Sequence, residues 1–244
     1  MTAPAIETNG LTRRYGALTA VDHLNIRVEK GELFALLGVN GAGKTTTIRM
    51  LCCLTKPTEG DATLSGASIV REPMHVKEKI GVSPQETAVA ANLTAEENLR
   101  LMCGMHGLSR AETDEKVRAL SERFHLNEVL SRRAGKLSGG WQRRLSIAMA
   151  LVSDPEILFL DEPTLGLDVI ARSELWDVIR DMEGHATIIL TTHYMEEAEA
   201  LSDRVGVMKD GRLLALGTPG ALKAQTGQEK FEDAFIAIVR GASK

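Results

Sequence analysis

Apolar and polar positions repeat with two different periods along this chain, and the period changes at identifiable places. Over residues 8–15 and 24–28 they alternate or nearly alternate, so the first 31 residues predict an antiparallel β region. Residues 33–37, 157–160 and 187–190 form near-continuous apolar runs, the pattern of parallel strands covered on both faces. Shorter strands are expected at 61–64 and 79–83, and a hairpin at 205–208 and 213–216 around Lys209-Asp210-Gly211. Helices are predicted at 45–54, 169–182 and 195–201. Thr218-Pro219 is a good N-cap and first-turn pair for a further helix. Residues 230–240 predict a short amphipathic helix packed on the body.

The texture differs between residues 86 and 153, where no convincing strand pattern occurs. Thr94-Ala95-Glu96-Glu97 and Ser109-Arg110-Ala111-Glu112 are capping boxes, in which hydroxyl and carboxylate satisfy each other's end amides. Ala95, Leu99, Met102 and Met105 fall on one face of the first helix, and Val117, Leu120 and Phe124 on one face of the second. The fold class expected is α/β, with a mixed central sheet, an N-terminal antiparallel β region and a helical insertion. The expected organisation is one domain over 1–244. Residues 1–85 and 154–225 form its core, 86–153 a helical subdomain and 226–244 a short helical tail.

Composition narrows the picture. A chain of 244 residues can bury a sizeable core. A net charge of −4 gives no general basic footprint, so no nucleic-acid partner is expected. Arg13-Arg14 and Arg132-Arg133 are short runs that read as solvated faces. No stretch approaches the ~18 consecutive apolar residues of a spanning helix. The first nine residues lack the apolar segment of a signal peptide, and no large regulatory domain is expected after the core. Three cysteines, with Cys52 and Cys53 adjacent, make neither a disulfide framework nor a zinc pattern. Those two are expected in the helix at 45–54 as packing residues, and the protein is expected to be cytoplasmic and reduced.

The chemistry begins at Gly38-Val39-Asn40-Gly41-Ala42-Gly43-Lys44-Thr45-Thr46, which fits the phosphate-loop pattern between a predicted strand and a predicted helix. Glycine-freed amides at a helix N-terminus favour phosphate. Lys44 would reach the β- and γ-phosphates, and the Thr45 hydroxyl would take a place on Mg²⁺. Asp161 and Glu162 directly follow a buried run. There a carboxylate can hold Mg²⁺ and the next can orient or deprotonate an attacking water, although capping of the following helix is an alternative use. Leu137-Ser138-Gly139-Gly140 reads as a glycine-rich helix start with Ser138 as N-cap, a second anion site. Two phosphate clamps in one chain suggest that the second serves a nucleotide held by another copy. Read from the residues alone, this is a Mg²⁺-dependent triphosphatase.

In the order of these motifs the chain resembles the nucleotide-binding subunit of an ATP-binding cassette (ABC) transporter over nearly its whole length. The resemblance makes Tyr15 the aromatic residue that stacks on adenine. It makes Gly38, Asn40, Gly41, Ala42, Gly43, Lys44, Thr45 and Thr46 the Walker A loop, and Gln85 the Q-loop residue that touches Mg²⁺ and senses the membrane partner. Ser138, Gly139 and Gly140 match the signature that closes on ATP across a dimer. Asp161 and Glu162 match the Walker B aspartate and catalytic glutamate, Asp168 the D-loop, and His193 the switch histidine at the γ-phosphate. Trp141 departs from the pattern, in which glutamine is commonest after the glycines.

The resemblance implies a P-loop core, ATP and Mg²⁺. It also implies a head-to-tail dimer with a second ATPase subunit, a homodimer by expectation, and peripheral attachment to the inner face of the membrane through separate permease subunits. The docking groove is expected between the α/β body and the helical insertion, near Gln85 to Met105. The stretch 36–50, the start at 94–99, the Trp-Gln-Arg-Arg signature and Glu232-Asp233-Ala234-Phe235 look most like the drug-, sodium- and nodulation-factor-export branch. The alternatives are an ABC importer ATPase and a soluble ABC-type ATPase of repair, translation or cluster assembly. A GTPase or small kinase on the same loop leaves Leu137 to Gly140 without a reason.

Overall fold

The computed structural model describes residues 3–182, 184 and 186–241. The last three residues of the expected 226–244 tail lie outside the described residues. In chain order the elements are β1 (Ile6–Tyr15), β2 (Leu18–Leu24), β3 (Arg27–Val28), β4 (Leu33–Gly38), α1 (Lys44–Leu51), β5 (Glu59–Leu64), β6 (Ala67–Ser68), α2 (Pro73–Lys79) and β7 (Ile80–Ser83). They continue as α3 (Ala95–Met105), α4 (Arg110–Arg123), two short 3₁₀ turns, α5 (Gly139–Ala150), β8 (Ile157–Asp161), α6 (Val169–Arg180), β9 (Thr187–Thr192) and α7 (Met195–Leu201). The hairpin β10 (Arg204–Lys209) and β11 (Arg212–Gly217) leads to α8 (Pro219–Thr226) and α9 (Phe231–Gly241).

The central sheet has six strands in the order β11-β10-β4-β9-β8-β7. All its pairings are parallel except the β10–β11 hairpin, so it is mixed, as expected. A smaller antiparallel sheet runs β2-β1-β5-β6, with β3 also pairing β1. The apolar runs of the parallel strands divide by parity. Ile157 and Phe159 of β8 enter a core shared with the antiparallel sheet, while Leu158 and Leu160 enter one shared with the helical segment. Both faces are therefore covered, which is why these strands show no alternation.

Between residues 86 and 153 the described residues form helices, turns and a single isolated bridge, Thr94 to Arg133. Both capping boxes form: Thr94 accepts from Glu97 N, Ser109 accepts from Glu112 N, and the glutamates reach back. Val117, Leu120 and Phe124 are buried together. Met105 departs from expectation, because the last residue of α3 is 73% exposed. The buried stripe instead runs through Ala95, Asn98, Leu99 and Cys103. A polar residue enters it because Asn98 Oδ1 accepts from Ala90 N at 2.8 Å and Nδ2 donates to Thr94 O at 2.8 Å. The helix after the phosphate loop ends at Leu51 rather than 54. Cys52 is its C-cap and Cys53 turns to φ 55°, so the cysteines terminate the helix instead of lying within it; Cys52 is buried.

Candidate functional site

The loop between β4 and α1 opens on a cavity of about 640 Å³. Gly43, the N-cap residue of α1, has φ 101°, a backbone state that side chains resist. A Cβ there would also lie 2.4 Å from Ala20 O, so the close approach of β2 to the loop requires glycine twice over. No side chain caps α1 and no acid stands in its first turn, so its amide end is left for an anion. Lys44 is 5% exposed and donates from Nζ to Gly38 O at 2.7 Å and Val39 O at 3.3 Å. The loop is thus closed by its own lysine.

Carboxylates come from the end of β8. Thr45 Oγ1 donates to Asp161 Oδ1 at 3.2 Å, and Thr191 Oγ1, from the neighbouring β9, donates to the same oxygen at 2.5 Å. Burial pushes the Asp161 pKa up; the Thr191 and Thr45 hydroxyls, and more distantly Lys44, oppose it, while Glu162 adds to the rise. Hydroxyl and carboxylate oxygens side by side, with the Gln85 side chain on the same cavity, form a hard oxygen set that suits Mg²⁺. Glu162 sits at φ 47°, held by its amide donating to Thr191 O and Oγ1, each at 3.1 Å. Its carboxylate is bracketed. Lys44 Nζ lies 3.5 Å from Oε1, and His193 Nδ1 lies 3.2 Å from Oε2 without hydrogen-bonding alignment.

Tyr15, Asn40, Gly41, Ala42, Gly43, Lys44, Thr45, Thr46, Gln85, Glu162 and His193 all line the one cavity. Gly38 and Asp161 stand just behind it, bonded to Lys44 and Thr45. The cavity is completed by Leu18, Thr19, Ala20, Leu165 and Asp210, which sequence reasoning did not single out. The β2 residues had no motif to mark them. Asp210 had only the signature of a hairpin turn. Tyr15 is backed by Arg13, whose Cζ lies 4.4 Å from the ring centroid.

Ser138, Gly139, Gly140 and Asp168 do not line this cavity. They meet one another elsewhere. A Cβ at Gly139 would lie 3.6 Å from Leu167 Cδ2, and one at Gly140 3.3 Å from Ala171 Cβ. Ser138 is the N-cap residue of α5, but its hydroxyl makes no capping bond. Asp168 caps α6, its Oδ1 accepting from Ile170 N at 3.0 Å and Ala171 N at 2.9 Å. Trp141 lies under Arg144, whose Cζ is 4.9 Å from its ring and whose Nη2 bonds Glu174 Oε2 at 2.6 Å.

The family model described as "ABC transporter" matches residues 21–165. Over 245 residues the sequence is 40% identical to "Probable multidrug ABC transporter ATP-binding protein YbhF" of Escherichia coli (strain K12), covering 98% of this chain and 42% of that protein. The chain thus spans less than half the length of that relative. It is 43% identical over 225 residues to "Nod factor export ATP-binding protein I" of Paraburkholderia xenovorans (strain LB400), covering 92% of this chain and 74% of that one. Among solved structures, "Structure of ATP binding subunit of ABC transporter" superposes with a TM-score of 0.85 at 29% identity, covering 96% of this chain and 99% of the other.

Proposed function

The chain belongs to the ABC transporter family, and from that premise we propose that it is the ATP-binding and ATP-hydrolysing subunit of an exporter of drug-like or other small molecules. The observation that carries the reading is the bracketed Glu162. One buried carboxylate faces the phosphate-loop lysine at 3.5 Å and the histidine after β9 at 3.2 Å, on the cavity wall formed by the loop. Export rather than import is supported by the multidrug and Nod-factor relatives. The chain acts as a single ATP-binding domain in which 86–153 is the helical subdomain and 226–244 the tail.

Substrate ATP would place its base on Tyr15 and its phosphates in the loop at Gly38 to Thr46. Thr45, Asp161 and Gln85 would hold Mg²⁺, which would supply charge neutralisation at the phosphates. Glu162 orients and deprotonates the attacking water, and His193 holds the γ-phosphate side of the site. Catalysis is positioning plus charge stabilisation. Ser138 to Gly140 and Asp168 lie off the cavity because they serve ATP bound to a second, identical subunit.

Membrane attachment at the inner face is indirect in this proposal, through permease subunits. No helix among the described residues is long and apolar enough to cross a membrane. The partner's docking groove would lie near Gln85 to Met105, between the body and the helical segment; the cavity of about 730 Å³ between α2 and α4, lined among others by Met74, Leu108 and Lys116, contains none of those residues. Exposed Leu101 and Met105 of α3 extend the apolar surface of the helical segment.

Glu162→Gln tests the reading. The variant is expected to keep ATP binding, to accumulate as an ATP-bound dimer and to lose turnover by at least ~100-fold, the scale of a general base. Wild-type turnover in that variant would show that another group activates the water.

A further inference from the structure

Arg143 is a buried cation without a carboxylate partner. It is 5% exposed, lies one turn into α5 and forms no ion pair among the described residues. Its guanidinium instead donates from Nη1 to Pro84 O and from Nη2 to Gln85 O, each at 2.6 Å. Burial lowers its pKa while the more distant Asp161 and Glu197 charges raise it, so the cation sits in the field of the Walker B carboxylate. A buried charge spent on two main-chain carbonyls is costly unless those carbonyls must be held.

What the pair of bonds holds is specific. Pro84 O belongs to the peptide plane entering Gln85, and Gln85 O belongs to the plane leaving it. Peptide planes are rigid, so holding both restrains φ and ψ of Gln85 and hence the direction in which its side chain leaves the backbone. The fork of an arginine can do this, because its two Nη groups are set in one plane at one spacing. Further along, the same helix face is fastened to β7, the strand that leads into Gln85. Ser146 Oγ lies 3.0 Å from Ser83 Oγ, both buried. At Gly81 a Cβ would lie 2.2 Å from Ala150 O, so α5 rides directly on the β7 backbone. Arg143, Ser146 and Ala150 are spaced i, i+3, i+7, one stripe of the helix.

We infer that Arg143 is a positioning residue that ties Gln85 to the helix opened by Ser138 to Gly140, so that the signature end and the Q-loop of one subunit move as one piece. This rests on the proposed ATPase reading and deepens it: the end of the chain that meets a partner's nucleotide also sets Gln85 beside its own.

The test is a double-mutant cycle on the full chain with ATP and Mg²⁺, comparing wild type, Arg143→Lys, Gln85→Ala and the double variant. Lysine keeps the charge but presents one point donor in place of the fork. Expected for Arg143→Lys are a kcat lower by about tenfold, a half-saturating Mg²⁺ concentration higher by about threefold, and a KM for ATP within about twofold of wild type. In the Gln85→Ala background the same substitution should cost less than about twofold, since the group it positions is gone. An equal loss in both backgrounds, or no loss in either, overturns the positioning role while leaving the ATPase reading intact. Absence of hydrolysis in wild type overturns the ATPase reading and this role with it. Should Arg143→Lys unfold at assay temperature, Arg143→Gln enters the same cycle with the same deciding outcomes.

Discussion

A non-glycine residue in the left-handed region costs about 1 kcal/mol or more, yet Glu162 is held there at φ 47° by two bonds from its amide to Thr191. Six other non-glycine residues among those described take a similar φ, so Glu162 is set apart by the Lys44 and His193 that bracket it rather than by the strain itself. A second buried glutamate behaves differently. Glu197 on α7 is fully buried, and Trp176 Nε1 donates to its Oε1 at 3.1 Å. Burial pushes its pKa above the ordinary 4.5, against the opposing Thr192, Thr164 and Trp176. An acid whose folded-state pKa is raised stabilises the fold below its unfolded pKa and loses that contribution as pH rises toward the folded value. The neutral isostere Glu197→Gln escapes this loss. It is therefore expected to gain stability over wild type as pH rises from near 4.5 to 8, seen as a Tm difference that widens with pH. Denaturation curves at both pH values check this; a gap that does not change with pH would remove the titration of Glu197 as its cause.

At the scale of elements, α5 packs directly on β7 and, through Arg143, on the two residues that follow it. Gly81→Ala places a Cβ 2.2 Å from Ala150 O, a main-chain atom that cannot rotate away. The substitution is expected to destabilise by about 1–3 kcal/mol, the range for overpacking, and to lower turnover by displacing α5 and Arg143 together. Chemical denaturation and hydrolysis rates measure the two effects; a stable, fully active Gly81→Ala would show that α5 and β7 can separate freely. Elements with a strong local signature were readable in advance. The capping boxes at Thr94 and Ser109 and the hairpin at Asp210-Gly211 formed as read, because their determinants lie within a few residues. Other elements, α2 and β2 among them, were not readable. α2 buries Val76 alone and so has no apolar stripe. β2 follows β1 after two residues, but only its Val21 and Leu24 are buried.

For the whole molecule, the site residues fall into two groups that do not share a cavity. The larger group surrounds the phosphate loop; Ser138 to Gly140 and Asp168 adjoin one another near Leu167 and Ala171. In the proposed head-to-tail homodimer each active site takes one group from each subunit. Lys44→Ala and Ser138→Arg should then each be inactive alone. An equal mixture should recover about a quarter of wild-type turnover, because half the dimers are mixed and each mixed dimer has one intact site of two. Hydrolysis assays on the mixture measure this. No recovery after subunit exchange would mean that the two groups serve the same chain.

Local structure was set by the sequence alone: the loop with Lys44 and Thr45 between strand and helix, the carboxylate pair after a buried run, the glycine-rich start of α5, and the periods that make the molecule α/β with a helical insertion. These depend on neighbours in the chain, through backbone conformation, capping and the side-chain period. Other facts needed the fold. The bracketing of Glu162 joins residues from β4–α1, β8 and β9, and the backing of Gln85 by Arg143 crosses 58 positions. Asn98 joins the buried stripe of α3 only because Ala90 of the preceding loop meets its side chain. Contacts between positions far apart are set by strand order and by which helix face meets which strand, and neither is encoded in any local run of residues.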